Sequence, residues 1–209
     1  MDQSLLAAGS GRKHQPAAAR LWRGPAVDRV RHRLRGVPFR PSPNCDARPP
    51  PREISLLVVH AISLPPGRFG GPWIGRLFAN TLDSKAHPYF EGLRDLTVSA
   101  HLCVFRTGRV VQYVPFHRRA WHAGKSAHEG RERCNDFSIG VELEGCDERP
   151  FEPVQYRVLA RISRALMRAY PRITPARIVG HSDIAPGRKS DPGPHFDWQR
   201  LRAEREFLP

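Results

Sequence analysis

Three runs of hydrophobic and polar positions carry most of the structural signal in this chain. Residues 54–60, ISLLVVH, form a short apolar, β-branched run of the kind that makes a buried strand covered on both faces. A period of two puts Leu56, Val58 and His60 on one side of it. Residues 137–145, FSIGVELEG, alternate cleanly: Ile139, Val141 and Leu143 go to one face, Gly140, Glu142 and Glu144 to the other. Two carboxylates on one face of an inner strand are costly to bury without a cation or hydrogen-bond donors, so that face is predicted to look into a site. Val154, Val158, Leu159, Ile162, Ala165, Leu166 and Ala169 recur at helical spacing, with Pro153 near the first turn and Pro171 as the stop. Arg157, Arg161, Arg164 and Arg168 fall on the other faces of that helix.

Weaker patterns fill in the rest. Residues 100–106 and 109–114 flank Thr107-Gly108 and predict a hairpin. Trp73-Ile74 and Leu77-Phe78 predict one short helix after Pro72, and Asp197 is placed to cap a last helix through Glu206. A short apolar run ending at Val179 leads into His181. Residues 62–95 and 115–136 read as long loops that wall a cleft. The order strand, helix, hairpin, strand, helix, strand, helix, without internal repeats, predicts an α/β fold: a mixed central β-sheet flanked by helices.

Composition adds domain limits and compartment. The 209 residues, 40% apolar and 26% charged, suit one soluble domain with an appendage. The net charge is +14, and residues 1–52 hold 11 Lys/Arg against 3 Asp/Glu. Residues 1–36, rich in Ala, Arg, Gly and Pro, are expected to be a basic, poorly ordered or marginally helical extension along Leu21-Trp22, Val27, Val30 and Leu34, with residues 37–209 as the functional domain. A basic tail favours polyanions, but only Trp22 interleaves an aromatic with its charge, so nucleic acid is not the favoured partner, although the tail leaves it open. No apolar run is long enough to span a membrane, the N-terminus lacks a secretory h-region, and Cys45, Cys103, Cys134 and Cys146 make no C-x-x-C pair. The expected compartment is the cytoplasm.

The most unusual chemistry lies in residues 180–194, GHSDIAPGRKSDPGP. Repeated Pro and Gly keep this stretch from continuing as a helix, and such a loop can fold an imidazole and a carboxylate ten positions apart onto one point. Imidazole and carboxylate suit a hydrolytic zinc, which needs three protein ligands and one open position. With ten histidines in the chain, spacing alone does not choose His60, His181 and Asp191 over a set that includes His101.

Longer strings decide among these sets. The chain from about Val37 onward resembles the cytoplasmic anhydro-N-acetylmuramoyl-L-alanine amidases, the AmpD family, in PSPNCDARP (41–49), SLLVVH (55–60), FGGPWI (69–74), HPYF (87–90) and VSAH (98–101). RAWHAG (119–124), GRERCNDFSIGVELEG (130–145) and GHSDIAPGRKSDPGP continue it. The resemblance implies the amidase-like fold and Zn2+ bound by His60, His181 and Asp191, with Glu142 and Lys189 as catalytic residues. It implies a muropeptide substrate, cut at the amide between the N-acetylmuramic lactyl group and L-alanine during cell-wall recycling. Around that centre, Trp121 and Arg133 are candidates for substrate contact, and His101, His122 and Glu144 for groups that touch the ligands or, for Glu144, a rival base. The family usually carries asparagine after the first zinc histidine, where this chain has Ala61. The alternative reading is a peptidoglycan-binding module on the same fold that has lost its catalysis; its mark would be a missing ligand, and all three positions are filled.

Overall fold

The computed structural model describes residues 25–204. Along the chain run β1 (Val27–Asp28), β2 (Arg33–Leu34), β3 (Cys45–Ala47), β4 (Leu56–Ile62), α1 (Trp73–Phe78) and α2 (Pro88–Glu91). The hairpin β5 (Leu102–Val104) and β6 (Val110–Gln112) comes next, then β7 (Arg118–Ala120), β8 (Ala127–His128), β9 (Arg131–Glu132) and β10 (Ser138–Glu144). The last elements are α3 (Pro153–Ala169), β11 (Ile178–Gly180), α4 (His181–Ile184) and α5 (Trp198–Ala203).

The central sheet has the order β11-β4-β10-β5-β6. Its first four strands are parallel, and β6 turns back antiparallel on β5. The predicted mixed sheet is therefore what forms. Parallel inner strands must be covered on both faces, and all seven residues of β10 are buried. On one face Leu57, Val59, Ile139, Val141 and Leu143 pack under Leu159, Ile162 and Leu166 of α3. On the other, Cys103 and Val111 meet Ile74, Leu77, Phe78 and Phe90 of α1 and α2, while Leu56 and Val58 meet Phe137 and Ile184.

Helix α3 keeps the predicted bounds because both ends are marked chemically. Pro153 sits in its first turn, and Gln155 accepts a hydrogen bond from the Glu152 N–H to close a capping box. The buried Gln155 amide also donates to the carbonyls of Val104 and Glu144, fastening the helix to the sheet. The Asp197 carboxylate caps α5 through the Arg200 N–H, as expected, but the helix stops at Ala203, where Glu204 turns extended, and does not run on to Glu206; residues 205–209 lie outside the described residues.

Besides α2, a second helical turn in residues 62–95 where one helix was expected, three segments differ from the sequence reading. Residues 115–136 hold three short strands and a 3-10 turn at Cys134–Asp136 instead of a plain loop, with β7 pairing β3 and β8 pairing β9. Residues 27–34 form a hairpin instead of a loose helix: Leu34 is buried in the core, and its N–H donates to the Gln112 side chain. Residues 1–24 of the expected extension lie outside the described residues. Finally, the chain makes one helical turn, α4, directly after Gly180, before Pro186 and Gly187 interrupt it.

Candidate active site

The site forms where β4, β10 and β11 end on the same side of the sheet. In the parallel β4–β10 ladder His60 is paired with Glu142, so the imidazole and the carboxylate stand side by side on one face. Strand β11 pairs Gly180 with Val59, which brings His181, the first residue of α4, to the same level. Gly180 lets the loop return close to the end of β11, since a Cβ there would lie 2.9 Å from the Pro192 ring. The loop after α4 is pinned by the Ser182 N–H donating to the Asp191 carbonyl. The predicted return of the carboxylate onto the imidazole is thereby achieved.

His60, His181 and Asp191 converge. Nδ1 of His60 lies 3.1 Å from Nδ1 of His181, and the Asp191 Oδ2 lies 3.0 Å from the first and 3.1 Å from the second. Four bonds of about 2.0 Å to a tetrahedral ion would set their donor atoms about 3.3 Å apart, so the three fit a common divalent cation. Both imidazoles are buried. Burial holds His60 below the ordinary histidine pKa, the neutral form a ligand requires. Burial alone would raise Asp191, but the His181 and His60 rings set against it outweigh that and hold the carboxyl below its usual range.

The outward-facing ring nitrogens are also engaged. His181 Nε2 lies 3.1 Å from the Ala123 carbonyl, which makes it a donor and leaves Nδ1 its lone pair. His60 Nε2 lies 2.9 Å from Nδ1 of His122, whose own Nε2 lies 3.2 Å from the Ser138 hydroxyl.

Glu142 is nearly inaccessible, and its Oε2 has no hydrogen-bond partner among the described residues. Burial, reinforced by the Asp191 charge, raises its pKa well above that of an ordinary glutamate, while Lys189 pulls the other way. Lys189 is exposed at the mouth of the same cleft. That cleft, of about 310 Å³, holds all three converging residues, Glu142, Lys189 and Trp121, and has an apolar wall from the segment after β4. The expectation that this segment lines a cleft therefore holds; from 115–136 only Trp121 and His122 reach it.

The remaining candidates scatter. The Glu144 carboxylate accepts from the N–H groups of Gly70 and Arg106, tying the segment after β4 to the β5–β6 turn, and touches no histidine. His101 Nδ1 accepts from the Gly140 N–H, and its other nitrogen faces the Arg118 carbonyl; it meets the His122 ring edge-on but none of the three converging residues. Arg133 lies outside the cleft, on a separate cavity of about 430 Å³, and pairs with Asp136. Ala61 lines the cleft, with no polar group to offer there.

Other contributors went unread in the sequence. Asn135 accepts from the N–H groups of His122 and Ala123 and so shapes the wall beside the cluster. Tyr89 and Leu96, large apolar side chains that remain exposed, line the cleft rim. For Tyr89 a signal existed in the HPYF string.

The sequence profile of the family described as N-acetylmuramoyl-L-alanine amidase matches residues 50–194. A 1,6-anhydro-N-acetylmuramyl-L-alanine amidase AmpD of Citrobacter freundii is 59% identical over 163 residues, covering 78% of this chain and 87% of that protein. A crystal structure of a selenomethionine AmpD derivative superposes with a TM-score of 0.82 at 54% identity, covering 86% of this chain and 98% of the other. The Escherichia coli amidase AmiD, solved with anhydro-N-acetylmuramic acid-L-Ala-D-gamma-Glu-L-Lys as substrate, superposes with a TM-score of 0.54 at 34% identity, covering 76% of this chain and 58% of that one.

Proposed function

The chain belongs to the N-acetylmuramoyl-L-alanine amidase family, and on that premise we propose that it is a zinc-dependent hydrolase of muropeptides. It cuts the amide between the lactyl group of N-acetylmuramic acid, in its 1,6-anhydro form, and L-alanine, as a step of cell-wall recycling in the cytoplasm. The single observation that carries the chemistry is the meeting of His60, His181 and Asp191 beside a buried Glu142 whose Oε2 has no hydrogen-bond partner among the described residues. The cytoplasmic setting is supported by four cysteines that are all unpaired, as a reducing compartment keeps them.

His60, His181 and Asp191 are the residues that would hold zinc. Bound there, zinc supplies a Lewis acid that makes water acidic near neutral pH and polarises a carbonyl. Two neutral ligands and one anionic one leave the site with net positive charge. The remaining work falls to the chain. Burial raises the Glu142 carboxyl above an ordinary glutamate, which makes it a better proton acceptor, and its place in the cleft lets it both take and return a proton. It takes the proton of the attacking water and delivers it to the departing L-alanine nitrogen. Lys189, which lines the same cleft, holds the negative charge that develops on the amide oxygen. Trp121 offers an aromatic face within the same cleft on which a sugar ring can stack.

The test is metal content measured alongside hydrolysis of a defined 1,6-anhydro-muropeptide. One zinc per chain is expected, with turnover lost on chelation and restored by zinc. Glu142→Gln should keep the zinc and the fold while turnover falls by about 10²–10⁴. Full turnover by a His181→Ala variant would sink the proposal.

A further inference from the structure

We infer that His122 is a positioning residue that sets which nitrogen of His60 is free to bind the metal. The inference rests on the zinc reading of the cluster and adds to it a residue that is not itself a ligand. Nδ1 of His60 faces His181 and Asp191, and a metal held there would take its lone pair, which requires the proton to sit on Nε2. That nitrogen is 2.9 Å from Nδ1 of His122 and donates to it. Nδ1 of His122 is then an acceptor, its proton is on Nε2, and Nε2 donates to the Ser138 hydroxyl 3.2 Å away. One assignment of protons satisfies the whole line from Ser138 to the cluster.

Shape holds the line in place. The His122 ring lies flat against Gly140 of β10, where an added Cβ would come within 2.5 Å of the ring's Cγ and 2.7 Å of its Nδ1. Glycine at that strand position leaves the space the imidazole occupies. The Asn135 side chain fixes the His122 backbone from the other side by accepting from its N–H. His181 has a backbone carbonyl for the same purpose, which no substitution removes; His60 depends on a side chain.

Zinc affinity of the purified full chain, measured by competition with a chromophoric chelator, reads this directly. In His122→Leu the affinity should fall about 10- to 100-fold. His122→Asn, whose Oδ1 takes the place of Nδ1, should stay near wild type. Gly140→Ala, which leaves every polar group intact but displaces the ring, should weaken zinc as His122→Leu does, and it supplies the test if His122→Leu fails to fold. In the zinc-loaded wild type the Nε2 proton of His60 should give a slowly exchanging imidazole resonance that is lost in His122→Leu. Wild-type zinc affinity in both His122→Leu and Gly140→Ala would overturn the inference while leaving the zinc site standing. Equal weakening by Leu and Asn would also overturn it, because ring volume and not the acceptor nitrogen would then be the operative feature. A wild-type chain that binds no zinc would instead remove the proposed function itself.

Discussion

At the scale of single residues, the site is a set of imidazoles whose protons are placed by neighbours, and His101 shows what that costs. It is fully buried, with Nδ1 accepting from the Gly140 N–H. Burial, then the adjacent Arg48 charge, holds its pKa well below the ordinary value. The folded protein therefore keeps His101 neutral, whereas the unfolded chain takes up a proton as pH falls through about 6.5. More protons bound in the unfolded state means stability is lost on acidification, by up to about 1.4 kcal/mol per pH unit for this one group. The check is urea unfolding between pH 7.5 and 5.5 for wild type and His101→Asn, which keeps an acceptor for Gly140. The variant should show a pH slope smaller by an amount that grows from about 0.1 proton at pH 7.5 to about 0.9 at pH 5.5; identical slopes would mean that His101 does not titrate on unfolding. Release in acid of a metal held at the cluster would contribute to both proteins and cancel in the comparison.

At the scale of elements, the parts legible in the sequence are those whose pattern is local. Strand β4 announced itself as an apolar run, β10 as an alternation with glutamates on its site face, and α3 as a stripe between two prolines. The pairing of His60 with Glu142 was not legible, because register between strands some eighty residues apart leaves no trace in either one. Nor were β7, β8 and β9: two or three residues carry no period, and such strands exist only because distant partners hold them. The proposed metal ligands follow from family resemblance and not from spacing, which leaves His101 as open as His60. Arg48 shows what holds residues 116–138 in place. It is buried, and its guanidinium donates to the carbonyls of Phe116, Asn135, Asp136 and Ser138. Burial lowers its pKa to about 10, so it stays charged at neutral pH, without a carboxylate partner in direct contact among these bonds. Arg48→Leu would leave these four buried carbonyls unmet, and the expected loss is at least about 4 kcal/mol, at roughly 1–3 kcal/mol per orphaned group. A denaturation midpoint within error of wild type would show that water replaces the guanidinium without cost. Because Ser138 and Asn135 both support His122, the same variant should also weaken zinc binding.

At the scale of the whole molecule, the question is where the stable domain begins. The family resemblance starts near Val37, yet the hairpin of β1 and β2 is built into the rest. Leu34 is only 2% exposed. Gln112 of β6 accepts from the Leu34 N–H and donates to the carbonyls of His32 and Val114, and the Phe116 N–H donates to the His32 carbonyl. We propose that the amidase domain extends back to about residue 26, where the Arg35 N–H meets the Ala26 carbonyl. Removing residues 1–36 would strip a buried leucine, worth about 2–5 kcal/mol in comparable truncations, and unpartner part of Gln112. Removing residues 1–24 keeps every one of these contacts. The expected result is a deletion of 1–24 that unfolds at the same urea concentration as the full chain, and a deletion of 1–36 that unfolds at a clearly lower one. The active cleft is lined by none of the residues before 60, so at temperatures where both deletions are folded their turnover should match. Should the shorter deletion lose as much stability as the longer, the stabilising contacts would come from the first 24 residues and not from the hairpin.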